Sequence, residues 1–355
     1  MNEKDTSFHI IGILSLAHML EDFLCGYTVF GYLATFHHPA FVFLWYNFFA
    51  FAMQLPLGSL IDVWMQKTDR KLQPGIIFSL GGLILTLLVY LACLFLHVQS
   101  SLAVYLLGLG NCLFHVGGGV ITIKEDDRNS YHGKGLGVFV APGAIGLYIG
   151  ALISYFFIRS AALPILLITA VLCLRCIHLY RNCPDPELLE NTDAEIPLIP
   201  ILVCFSVVLL RSLTGMAVSF PWKTGLPITI LSVLLLAGGK TAGGFLGASS
   251  IGYRKTITAT LAAAAVCYFL GNYMIPGLMA VFLFNMTMPV TLYLLAKKMP
   301  DLPGTAFGIL TFALFIGFLP VYFNLIIGES PVWLGTASSL ISLVLLRQIC
   351  GGQGS

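Results

Sequence analysis

Long apolar runs alternate with short polar or Pro/Gly breaks along the whole chain. Twelve of the runs approach the roughly 20 residues a helix needs to cross a bilayer. They cover about 9–31, 40–63, 74–96, 101–122, 135–158, 163–181, 198–220, 225–249, 256–271, 274–296, 304–326 and 331–347. The first is too long for a cleaved signal peptide and carries His18, Glu21 and Asp22 in its middle, so it reads as a span. The one long polar stretch, 183–197 (CPDPELLENTDAEIP), is acidic and divides six runs from six. The pattern predicts an all-α membrane protein with twelve transmembrane helices in two pseudo-symmetric six-helix bundles. The bundles are 1–182 and 198–349, joined by a cytoplasmic linker at 183–197. Residues 350–355 read as a tail or cloning remnant.

Charge placement sets the orientation. With the N-terminus inside, Lys4, Lys67, Arg70, Lys71, Lys124, Arg128, Lys134, Arg175, Arg181, Arg254, Lys255, Lys297, Lys298 and Arg347 all fall on the cytoplasmic side. These are fourteen of the 18 basic residues. Only Arg159 and Lys223 fall outside, which follows the positive-inside rule. The prediction is an integral plasma (inner) membrane protein with both termini cytoplasmic, expected as a monomer in the lipid bilayer.

Composition removes other classes. The 355 residues are 58% hydrophobic and 10% charged, with mean hydropathy +0.92. An ordinary soluble domain is about 25% charged. A soluble enzyme, a disordered chain and a nucleic-acid binder, which needs a basic face, are all excluded. The nine cysteines show no disulfide framework, and Cys173 and Cys176 read as small apolar packers within a helix. No nucleotide-binding loop occurs, so ATP does not drive the protein. No nucleophile with its base and no ordered metal-ligand set stands at helical spacing. The reading is therefore of a protein that is not an enzyme, without cofactor or metal.

The halves echo each other. The second span ends in LGSLIDVWMQKTDRK and the eighth in GGFLGASSIGYRK. Asn111 in the fourth span matches Asn285 in the tenth, and KGLGVFV opening the fifth matches GTAFGILTF in the eleventh. Such internal repeats are common in secondary transporters.

On these features the chain resembles the major facilitator superfamily. The loop after the second span is similar to that family's gate motif, with Gly58, Asp62 four residues on, then Arg70 and Lys71. The spacing to the basic pair is longer than usual, and Asp69 intervenes. The resemblance implies a cytoplasmic gate in which Asp62 holds a basic group and helix-end amides in the outward-open state. In the second copy Ala248 stands where the acid is expected. GVFVAPGAIG in the fifth span is similar to a Gly/Pro motif of the family's antiporters: Gly137, Pro142 and Gly146 fit, while Ala141 and Ile145 replace glycines. Small residues there let helices approach, and Pro142 bends the helix and frees a carbonyl. HMLEDFLCG and LFHVGGG also resemble fosmidomycin-resistance-like drug exporters.

Charges near mid-bilayer are costly and mark function. The first span has His18 on one face with Glu21 and Asp22, at spacings of three and four. The two acids are adjacent, about 100° apart around the helix, so they point to separate roles. Arg211 and Lys240 lie near the centre of the seventh and eighth spans, Asn111 and His115 one turn apart in the fourth, and Asn285 in the tenth. In the family the first, fourth, seventh and tenth helices line the central cavity.

Carboxylates and histidines inside membranes build proton relays, which assigns proton coupling to Asp22, Glu21 and His18, with Asp22 foremost. Arg211 offers a bidentate fork for a carboxylate or phosphate. Arg211, Lys240, Asn111, His115 and Asn285 are the candidate substrate-binding residues. The expected function is proton-coupled secondary transport of a small anionic or zwitterionic solute, with antiport and export favoured. Uptake of an organic anion, or a transporter-like receptor or lipid translocator, stand as alternatives. The four intramembrane charges could instead pair as structural bridges.

Overall fold

The structure is a computed structural model that describes residues 3–70, 72–154, 168–169, 171–173, 175 and 196–350. Lys71, Arg159, Arg181, Cys176, most of the predicted sixth span and most of the linker fall outside the described residues.

Among the described residues, eleven long helices follow the apolar runs. Here α1 is Ser7–Phe36, α2 Pro39–Lys67, α3 Gln73–Leu96, α4 Ser101–Arg128 and α5 Lys134–Ser154. After the linker come α6 Leu198–Ala217, α7 Leu226–Gly247 and α8 Gly252–Phe269. The chain ends with α9 Met274–Lys298, α10 Pro303–Tyr322 and α11 Pro331–Ile349. All but α8 are long and apolar enough to cross a membrane. Among the described residues there is no strand, and one isolated bridge ties Val218 to Glu329.

Prolines and glycines explain where helices start and break. Proline stands in the first turn of α2, α3, α7, α10 and α11, where its missing N–H costs nothing. Pro142 interrupts α5 at Ala141, and α9 is interrupted at Met286, three residues before Pro289, as expected when a proline ring meets the preceding turn. Five-residue π turns lie within α1, at Val29–Leu33, and within α2, at Phe48–Ala52. The first carries α1 to Phe36, beyond the predicted end at 31.

Backbone-to-backbone packing on glycine holds the first bundle together. Gly26, Gly146 and Gly150 set α1 against α5: Gly146 lies on the Met19 carbonyl and Gly150 on that of Phe23. Gly82, Gly110 and Gly117 do the same for α3 and α4. The run Gly117, Gly118 and Gly119 serves packing and does not break the helix. α4 is continuous, because Gly117 seats the backbone of α3 and Gly119 the ring of Phe307. In the second bundle Gly239 and Gly243 receive the carbonyls of Phe282 and Met286, so the small-residue stripe of α7 is a packing face onto α9. Large apolar side chains such as Leu88, Phe95 and Val266 cover the outside, the arrangement suited to lipid.

The halves meet along two seams. In one, α2 packs on α10, with Gly58 against Gly304 and Gly308 against the backbone of Gln54 and Leu55. In the other, Gly137 of α5 lies against Gly244 of α7. Trp222 donates from Nε1 to the Gly271 carbonyl at 2.8 Å and packs at a tilt against Phe220. The Phe-rich run of α2 is shared: Val42, Tyr46 and Ala50 are buried, Trp45 is exposed, and Phe48 meets Phe315 of α10 edge to face.

Candidate functional site

The break in α5 shapes the centre of the molecule. Beside it, His18 Nδ1 of α1 lies 2.7 Å from the Phe139 carbonyl. Lys240 Nζ of α7 donates to the next carbonyl, that of Val140, at 3.3 Å. A regular helix offers few such carbonyls to side chains from other helices, so Pro142 matters to the site through backbone chemistry.

Four side chains from two helices converge there. Asp22 Oδ2 lies 3.3 Å from His18 Nε2, the contact that a spacing of four on one helix face permits. Asp22 Oδ1 lies 3.6 Å from His115 Nε2 and accepts a hydrogen bond from Asn111 Nδ2 at 3.0 Å. The two Nε2 atoms of His18 and His115 are 2.8 Å apart. His115 is fixed from behind, its Nδ1 being 2.8 Å from the Asn111 carbonyl one turn earlier. Both histidines and Asn111 are buried. Gly143 completes the wall, since a Cβ there would strike His18 Nε2 and Asp22 Oδ2.

Glu21 is not part of this group. It is fully buried on the neighbouring face, where Oε1 accepts from Thr86 of α3 at 2.5 Å and Oε2 has no partner. Adjacent acids on a helix diverge, and here they meet different hydroxyl and imidazole partners, with Cys25 between Glu21 and Asn111.

The second half brings Lys240 to this centre. Lys240 is within electrostatic reach of both Asp22 and Arg211. Yet no described acid lies within ion-pair distance of Lys240 or Arg211. Arg211 is buried, and its Nη1 has no hydrogen-bond partner. The pairing of all four charges as structural bridges is therefore not seen. Asn285 stays apart, its amide donating to the Val281 carbonyl of its own helix at 2.8 Å.

A second constellation sits at the basic ends of the helices. Asp62, buried near the end of α2, accepts from the Gly304 and Thr305 amides at 2.8 and 2.7 Å. Thr305 Oγ1 adds a third bond at 2.7 Å. The carboxylate thus caps the N-terminus of α10, where free N–H groups favour negative charge. Ser59 and Thr305 hydroxyls meet beside it at 3.1 Å. The basic group within electrostatic reach of Asp62 is Lys124, whose Nζ donates to the Pro300 carbonyl at 2.8 Å. Sequence reasoning pointed to Arg70 and Lys71. Arg70 is exposed on the surface, where its amide meets Thr68 Oγ1. The run Pro303-Gly304-Thr305 opening a helix was the signal for Asp62's partner.

At the second copy of the loop, where Ala248 replaces the acid, Tyr253 does the joining: its hydroxyl donates to the His132 carbonyl between α4 and α5. Gly244 lies against Gly133 and Gly137 beneath it.

No family model and no curated protein matches the sequence. Solved structures do match in fold. A variant of the E. coli fucose:proton symporter FucP aligns with TM-score 0.68 at 12% identity, covering 96% of this chain and 98% of that one. FucP in its outward conformation gives 0.66 at 13% identity, over 98% and 99%. A bacterial homologue of the iron transporter ferroportin, outward-facing, gives 0.62 at 13%, over 99% and 100%. The chain therefore has the twelve-helix, two-bundle membrane fold of major facilitator superfamily transporters.

Proposed function

We propose that this protein is a proton-coupled secondary active transporter of the major facilitator type, moving a small anionic or zwitterionic solute by alternating access. It works as a monomer, with both termini cytoplasmic. The observation that carries the proposal is the buried Asp22–His18–His115–Asn111 cluster, with Lys240 of the other half in electrostatic reach of Asp22 and Arg211 in reach of Lys240.

Asp22 and His18 hold the coupling proton, and Glu21 is a separate carboxyl with its own hydroxyl partner. Arg211 and Lys240 take the negative group of the solute. Arg211 brings an unfilled donor, and a buried donor without a partner is a binding opportunity with a desolvation cost already met. Proton and solute then act on one another because Asp22 and Lys240 interact across the seam between halves. Asn111 positions Asp22, His115 faces the same carboxylate, and Asn285 contributes once its amide leaves its own helix.

Asp62 is the cytoplasmic gate. Its bonds to α10 hold the basic side shut and leave the far side as the open one. Rocking requires those bonds to break, and a carboxylate on helix-end amides can break and reform. The motif with Gly137, Pro142 and Gly146 lies at the α5–α1 and α5–α7 contacts and favours exchange, hence export.

The test uses proteoliposomes with and without a pH gradient. Asp22→Asn is expected to abolish gradient-driven transport and to spare solute exchange. Gradient-driven transport surviving in both Asp22→Asn and Glu21→Gln refutes coupling through α1.

A further inference from the structure

The hydrogen-bond accounting of the two central histidines does not close. His18 Nδ1 faces the Phe139 carbonyl and His115 Nδ1 the Asn111 carbonyl. A carbonyl oxygen accepts and cannot donate, so both Nδ1 atoms carry hydrogen. In a neutral imidazole the other nitrogen then presents a lone pair. The two Nε2 lone pairs face each other at 2.8 Å. Asp22, another acceptor, stands 3.3 and 3.6 Å from them. With both imidazoles neutral, two nitrogen lone pairs and the Asp22 carboxylate converge, and the one hydrogen directed at them is that of Asn111 Nδ2 on Asp22 Oδ1. Something positive belongs there. A shared proton satisfies two acceptors; the site offers three, from three residues.

We propose that His18, His115 and Asp22 form a binding site for a first-row divalent transition-metal ion. The three ligand atoms lie within 4.8 Å of one another. Two imidazoles and a carboxylate are a donor set for zinc, cobalt, nickel, manganese or iron(II), not for calcium or magnesium, which take oxygen shells. His18 and Asp22 reach the ion from one helix face at i and i+4, and His115 from the facing helix. Each imidazole is oriented by a backbone carbonyl on its far nitrogen, the usual outer support of metal-bound histidine. Asn111 Oδ1, buried and without a partner, is a fourth donor atom in the same cluster.

Metal–nitrogen bonds of about 2.0–2.1 Å require the two Nε2 atoms to part by roughly half an ångström. Gly143 lets His18 and Asp22 take these positions, because a Cβ there would strike both ligand atoms. Sequence reading assigned no metal here, since His115 lies 97 positions from His18. The charged group facing the site from the other half is Lys240, which opposes a dication through both His115 and Asp22.

The experiment is a Co2+ titration of tag-free, full-length protein in detergent, followed by the visible d–d bands and by calorimetry. One saturable site is expected, with bands that report nitrogen and oxygen ligands. His18→Gln and His115→Gln should each weaken binding at least tenfold, while Lys240→Ala should tighten it. Absence of a saturable site in the unmodified protein overturns the proposal, as does unchanged affinity in the His18→Gln/His115→Gln double variant. The site shares residues with the coupling reading, and the two fail separately. No Co2+ binding with gradient-driven transport still lost in Asp22→Asn removes the metal and keeps the coupling. Saturable binding with gradient-driven transport intact in Asp22→Asn and Glu21→Gln does the reverse.

Discussion

The two halves treat their intramembrane charges in opposite ways. In the first, Asp22 has three polar neighbours within 3.6 Å, and both histidines are tied to backbone carbonyls. In the second, Arg211 keeps an empty donor and Lys240 reaches only a carbonyl borrowed from α5. The first half is a site already assembled; the second is an incomplete one that an anion would complete. The sequence repeat pairs Asn111 with Asn285, yet one amide serves Asp22 and the other closes on its own helix. A repeat in sequence thus preserves the scaffold and lets the chemistry of each copy diverge.

The contrast is broken most severely by removing the support of the first site. Gly146→Val places a side chain on the Met19 backbone, which a packed helix pair cannot absorb by rotamer change. Loss of folded protein in a size-exclusion assay is expected. Gly81→Ala in α3, which would meet nothing within 4 Å, should leave the yield unchanged. Equal yields for the two variants would show that the α1–α5 approach does not hold the site together.

Next in size is Asp62→Ala. It deletes an acceptor for three hydrogen bonds and exposes the start of α10. Hydrogen bonds to a charged group contribute about 1.5–3 kcal/mol each and do not add fully. The expected result is a shift toward the opposite-facing state, read as faster alkylation of a cysteine introduced by Ser59→Cys. An unchanged rate would remove Asp62 from the gate.

Arg211→Ala sharpens the contrast from the other side. Losing a buried, charged donor should weaken anion binding by about 1.5–3 kcal/mol, roughly ten- to a hundredfold. Arg211→Lys should recover part of it, as a point charge replaces a fork. A thermal-shift titration measures both. Affinity equal to the unmodified protein would exclude Arg211 from the solute site.

The helices were legible because an apolar run has a length, and the bilayer sets that length. The contact of His18 with Asp22 was legible because a spacing of four is a statement about one helix face. Three things were not. His115 joins the cluster through the packing of α1 on α4, set by tertiary contacts. The 100° between adjacent acids already parts Glu21 from Asp22, but its partner Thr86 depends on where α3 lies. Asp62 was expected on helix-end amides beside a basic group, but nothing local names those of α10, 242 and 243 positions away. Local spacing fixes angles around one helix; partners across helices are decided by which glycine faces permit close approach.

The smallest effect tests the second copy of the basic loop. Where α2 uses a carboxylate on helix-end amides, the equivalent loop has Ala248, and a neutral hydroxyl from Tyr253 reaches the His132 carbonyl. A neutral hydrogen bond contributes about 0.5–1.5 kcal/mol net, less than a charge-assisted one. Tyr253 also stacks on Tyr293, with ring centroids 4.6 Å apart, and Phe keeps that stacking. Tyr253→Phe should therefore lower thermal stability slightly and raise cysteine accessibility at the α5–α7 seam less than Asp62→Ala raises it at the α2–α10 seam. A Tyr253→Phe effect equal to that of Asp62→Ala would mean that the two seams share the closing load, and that the missing acid at Ala248 has been fully replaced.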